Sequence, residues 1–131
     1  MITEDYVSFE TSKLLKKKGF DEPCNNRYYE THSGFDLGLD PGYTNSHWED
    51  WYKDMGVRNY SAPTLQMAMK WLREVHNLFI EISVDEMLRD KGYQWALYDN
   101  STKEIMPYSG WGNTYEQSCE SAIKYCLENL I

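Results

Sequence analysis

Residues 61–83 read SAPTLQMAMKWLREVHNLFIEIS: a helix start, a helix and a strand in one run. Ser61, Ala62, Pro63 and Thr64 form the start signal, because proline is tolerated in a first turn and Thr64 carries a capping hydroxyl. Leu65, Ala68, Met69, Leu72 and Val75 recur at helical spacing, and Met67 and Trp71 widen the stripe. The pattern predicts a helix over 64–76, with Asn77 suited to its exit. At Leu78 the period changes to two. Leu78, Ile80, Ile82 and Val84 alternate with Phe79, Glu81 and Ser83, as in a half-buried strand.

Working toward the C-terminus, Tyr93, Trp95 and Leu97 give a second alternating strand over 93–99. Asp99-Asn100-Ser101-Thr102 is turn chemistry, so Ile105 to Tyr108 is expected to return as a third strand. Pro107 lacks an amide proton, which makes that strand an edge or interrupts it there. Ser109 to Asn113 reads as a Gly-Trp-Gly loop. Thr114 with Gln117 is a capping box opening a last helix, lined by Tyr115, Cys119, Ala122, Ile123, Cys126, Leu127 and Leu130.

Toward the N-terminus, Ser8 caps a helix from Phe9 to about Lys18, with Phe9, Leu14 and Leu15 as its apolar side. Gly19 ends it, and Phe20 folds back on it. Arg27 to Thr31 (RYYET) suits a short strand. Ser33 to Tyr43 has three glycines, two aspartates and Pro41 and reads as loop. In SHWEDWYKDMG (46–56), Ser46 and Glu49 form a capping box, and Trp48, Trp51, Tyr52 and Met55 fall on one helical face. The fold class that follows is α+β. It is a small antiparallel three- to four-stranded meander with helices packed on one face, in a single domain spanning 1–131.

The 131 residues suit one domain that folds without a staple. A net charge of −8, spread over both halves, disfavours nucleic acid, whose phosphates require clustered cations. Lys16, Lys17 and Lys18 fit the last turn of a helix, where cations offset the dipole. The acidic N-terminus MITEDYVSFE is not a secretory signal, and no apolar run approaches the ~20 residues of a membrane span. Three cysteines make no disulfide framework: Cys119 and Cys126 sit about 10.5 Å apart along one helix. Cys24 follows a proline in a loop. The expected location is the cytoplasm.

FETSKLLKKKGFDEPC, SAPTLQMAMKWLREVHNLFIEI and YEQSCESAIKYCLENLI together resemble a family of small proteins met in phage and prophage regions of bacterial genomes. The matching segments cover about half the chain. The resemblance carries over no catalytic residue, since no activity is assigned to that family. It implies a context, a bacterial virus or mobile element acting inside the host cell.

The residues themselves offer little chemistry. A helix, three strands and a helix is also the element order of double-stranded-RNA-binding domains, but the last helix opens on Glu116 where that mode needs lysines. His47, Glu49, Asp50, Asp36, Asp40 and Asp54 are oxygen-rich enough for a hard cation, yet follow no metal-loop spacing and read better as solvated acids; no metal and no cofactor is expected. His76 suits a helix end. Tyr108-Ser109-Gly110-Trp111-Gly112 is not a nucleophile elbow, and Gly34, Gly38 and Gly42 sit among phosphate-repelling aspartates.

What remains is a surplus of aromatics. Tyr43, Trp48, Trp51, Tyr52, Tyr60, Tyr108 and Trp111 lie in or beside loops, as core edge or as an acid-rimmed binding surface. On the second reading the chain is a non-enzymatic protein that docks on a host or phage protein partner. The alternative is a small-ligand binder, nucleotide-like if Arg27, Lys53, Arg58 and Arg73 supply anion contacts. A hydrolytic enzyme comes third.

Overall fold

The computed structural model describes residues 1–52, 56, 58–87, 90 and 92–131, and the side chains of all of these except 40, 41, 51 and 52. Where the sequence reads as one domain, the chain folds into two compact units, Met1–Thr64 and Leu65–Ile131. Both mix helices with antiparallel strands, so the class is α+β.

In the first unit, α1 spans Phe9–Lys17. The Ser8 side chain accepts from the Thr11 amide at its start. Its exit hydrogen bonds run from the Gly19 amide to Lys16 O and from the Phe20 amide to Leu15 O. That is the Schellman pattern, with Gly19 at φ +94° and the fully buried pair Phe20 and Leu15 as its apolar contact. Lys16 and Lys17 occupy the last turn, where the charge reading placed them.

Strands β1 (Cys24–Thr31), β2 (Gly34–Tyr43) and β3 (Asn59–Ser61) form a sheet of order β2-β1-β3. The stretch 33–43, read from its glycines as loop, is therefore mostly strand. Gly38 serves close approach, since a Cβ there would lie 2.7 Å from the Tyr29 ring, whereas Gly34 and Gly42 take the positive φ of +135° and +91° where the strand begins and near its end. Pro41 is tolerated because β2 is an edge strand, near the register shift between Cys24 and Asn26 of its partner. The first strand starts at Cys24, three residues earlier than RYYET indicates, and Cys24 is a buried strand residue rather than a loop thiol.

Helix α2 (Asn45–Tyr52) forms where the spacing of Trp48, Trp51 and Tyr52 predicts it. Its cap is Thr44, whose hydroxyl accepts from the His47 amide at 3.2 Å. Ser46 instead binds Asp21 through both its amide and hydroxyl, at 2.7 Å each. Met55, also assigned to that face, lies outside the described residues.

In the second unit, α3 (Leu65–His76) buries Leu65, Ala68, Met69, Trp71 and Leu72. Met67 and Val75, both assigned to the stripe, are exposed, which leaves a face narrower than periodicity alone indicates. Asn77 turns the chain out at φ +60°. Strands β4 (Leu78–Ser83), β5 (Tyr93–Asp99) and β6 (Ile105–Gly112) make the expected meander, ordered β4-β5-β6. Val84 falls outside β4 and is exposed.

The Gly-Trp-Gly segment is not a loop but the end of β6, because Gln94 and Tyr93 pair with Trp111 and Gly112. Gly112 permits this: a Cβ there would collide with the backbone of Ser118. Pro107 lies on an edge strand and within an irregularity, since β5 advances from Ala96 to Tyr98 while β6 runs from Ser109 to Ile105. Helix α4 (Tyr115–Asn129) opens on Thr114, whose side chain accepts from the Gln117 amide, and buries Cys119, Ala122, Ile123, Cys126 and Leu127. Helices α3 and α4 pack on each other and on the sheet face bearing Leu78, Ile80, Trp95 and Leu97.

Candidate binding surface

The aromatic residues assigned to a surface between Tyr43 and Tyr60 are mostly committed to packing. Tyr43 stacks on His47 at 4.2 Å and meets Trp48 edge-on at 5.0 Å. Trp48 is 4 % exposed, with the Arg27 guanidinium 4.8 Å from its ring centroid. Tyr60 joins Phe9, Phe35 and Tyr28 in one ring cluster, with the Lys16 ammonium 4.9 Å above it. Trp48 is thus core and Tyr43 and Tyr60 are half-buried, a correction that follows from β2: once 34–43 is strand, these rings acquire a sheet to cover. The side chains of Trp51 and Tyr52, and Lys53 altogether, lie outside the described residues.

The cations proposed for anions have other work. Arg27 lies between Tyr29 and Trp48 and donates to the Asn59 side-chain oxygen. Arg58 grips Glu30 through Nε at 3.1 Å and Nη2 at 2.7 Å. That hydrogen bond holds the Glu30 carboxyl below its usual range and raises the Arg58 guanidinium. Arg73 is half-buried on α3, in the other unit. No phosphate cradle forms from these groups among the described residues.

The second unit keeps its aromatic surface. Tyr108 does not contribute, because it turns inward onto Tyr125, at 5.4 Å. Trp111, at 38 % exposure, does. Side chains alternate across a sheet. With Trp95 and Tyr108 facing α4, the opposite face presents Phe79, Glu81 and Ser83 from β4 and Gln94, Ala96 and Tyr98 from β5. Ile105, Ser109 and Trp111 complete it from β6. Cross-strand pairs order these groups: Phe79 against Tyr98, Tyr98 against Ile105, and Gln94 against Trp111. Phe79 and Tyr98 meet edge to face at 6.2 Å, and Ile105 is 67 % exposed. The result is an aromatic and aliphatic face with Glu81 within it and Glu104 exposed at its end.

At the Trp111 corner a shallow depression of about 370 Å³ is lined by Trp111, Gly112, Asn113, Gln117, Glu120 and Ser121. Gln117, Glu120 and Ser121 fall on one side of α4, spaced three and four residues apart. Its lining is neutral and hydrogen-bonding except for Glu120, so it suits an uncharged polar group better than a phosphate.

Reactive chemistry is muted. Burial pushes the thiols of Cys24 and Cys126 up to about 12 and that of Cys119 to about 11, so thiolate is scarce at neutral pH. Among the described residues no three His, Cys, Asp or Glu side chains gather as metal ligands. No described helix is long and apolar enough to cross a membrane.

Phe79, Tyr98 and Ile105 lie on strands, so attention to loop aromatics passes over them as surface groups. The signal for them is the alternation of β4, which sets a phenylalanine on the side opposite Leu78 and Ile80. Comparison with protein families, with curated proteins and with solved structures finds no match to this chain.

Proposed function

We propose that this chain is a non-enzymatic binding protein that docks on a protein partner through the face of the β4-β5-β6 sheet turned away from α3 and α4. One observation carries the reading: Phe79, Tyr98 and Ile105 are cross-strand neighbours at one end of that face and Trp111 lies at its other end, with Glu81 on the same face. Aromatic side chains supply large contact area at low entropic cost and dominate interface hot spots. The acidic balance favours a basic partner. The context belongs to the same proposal and rests on the sequence resemblance: an accessory protein of a phage or mobile element, acting in the host cytoplasm on a host or phage protein.

The depression at Trp111 favours a second reading, a small-ligand binder. Its neutral lining points to an uncharged polar ligand stacking on the indole rather than to a nucleotide.

The test is capture of a partner by the immobilised chain, with Trp111→Ala and Tyr98→Ala variants shown to be folded by circular dichroism. A partner bound by the parent chain and weakened at least about tenfold by each variant supports the reading. Equal capture by all three chains overturns it.

A further inference from the structure

We propose that the free edge of β2 accepts an extended, basic segment of a partner protein as a fourth strand of the first sheet. The inference concerns the other unit and stands without the docking reading above. In the order β2-β1-β3 one side of β2 pairs with no other strand among the described residues, so alternate residues direct their amide and carbonyl groups away from the sheet. The regular register with β1 runs from Gly34 to Leu39, a six-residue edge. Beyond it come Pro41, which has no amide proton to offer, and the register shift.

The side chains along this edge define the occupant. Phe35, Leu37 and Leu39 share one face. Phe35 is covered by Phe9 of α1 at 4.3 Å, whereas Leu37 is 44 % and Leu39 76 % exposed. An added strand finds two uncovered leucines beside its own side chains there. The opposite face carries exposed Asp36, and the strand has two aspartates, Asp36 and Asp40, and no basic residue. The Arg58 guanidinium beside Phe35 is already neutralised by Glu30.

Natural edge strands carry charge to prevent self-pairing. Here the edge carries Asp36 and, in its sequence, Asp40 with no cation, so pairing of two copies brings like charges onto one edge. The same charges attract a strand that alternates apolar with basic residues. Backbone hydrogen bonds then supply affinity, and the alternation supplies register.

The test uses a synthetic peptide of alternating valine and lysine, its valine–glutamate counterpart, and the full chain. Amide exchange is followed by NMR and affinity by fluorescence anisotropy. The expected result is slowed exchange at every second amide of 34–39 with the lysine peptide. Binding should weaken about tenfold in Leu39→Asp and also weaken as salt rises from about 50 to about 500 mM. Three results overturn the proposal: no protection along β2, equal binding of the glutamate peptide, or protection of β2 by dimerisation of the chain in the absence of peptide. Both leucines are exposed, so Leu37→Asp serves as a second variant that leaves the fold intact.

Discussion

Asn45 ties three segments of the first unit together. It is 4 % exposed, donates from Nδ2 to the Phe20 carbonyl at 2.8 Å, and accepts through Oδ1 from the Ser61 amide at 2.9 Å. Asn45→Ala leaves two buried backbone groups unpaired, so urea denaturation should show a loss of about 3 kcal/mol. A change under about 0.5 kcal/mol contradicts this role, since that is the range of substitutions that touch no such feature. Gly112 tests the second unit in the same way. A Cβ there meets the Ser118 backbone, which cannot move like a flexible side chain, so Gly112→Ala should cost roughly 2 kcal/mol. The three thiols make a third residue-scale case. Their folded pKa values are raised, so the stabilising difference is complete below the ordinary value of 9.0 and is lost as pH rises from there toward 11 to 12. The native chain should react slowly with a thiol reagent at pH 8, and all three cysteines should react quickly in denaturant.

At the scale of elements, the β5–β6 turn shows how a local signal becomes structure. Asp99 Oδ1 accepts from the amides of Ser101 and Thr102 at 2.9 Å each, and the Asp99 amide bonds Glu104 O. The Thr102 amide first, then the Asn77 side chain and the Ser101 amide, hold the Asp99 carboxyl below its usual range. A lowered folded pKa stabilises above the unfolded value and is lost as pH falls through the folded one. The stability gap between the parent chain and Asp99→Asn should therefore shrink on acidification below the ordinary carboxylate range. A pH-independent gap contradicts it.

The same scale explains what the sequence disclosed. Both longer helices and strands β4 and β5 carry their period and caps within a dozen residues, so their positions were legible. Strand β2 was not, because Gly38 is required by a ring on the neighbouring strand, Tyr29, and Gly34 and Gly42 by positive φ near the strand's two ends, needs that only the pairing with β1 reveals. The end of β6 was hidden likewise, since only the first turn of α4 explains Gly112. The binding surface followed: with β2 read as loop, Trp48 and Tyr60 passed for loop aromatics, although the sheet buries or packs them.

For the whole molecule, the −8 charge and the aromatic content separate into different roles. Length and composition fit one domain of ordinary size, whereas the two units emerge from pairings distant in sequence, such as Arg27 with Ser61. On the proposed function, the charge is a diffuse background that favours a basic partner. Association with such a partner should slow and weaken as ionic strength rises, a trend measurable by stopped-flow kinetics. Among the described residues, the proposed docking aromatics Phe79, Tyr98 and Trp111 lie on the second sheet. The most direct measurement is hydrogen–deuterium exchange of the chain with and without the partner recovered by Trp111-dependent capture. The account predicts protection concentrated in 79–83, 94–98 and 105–111. Protection confined to the helices at 65–76 and 115–129, or none in the second unit, contradicts it.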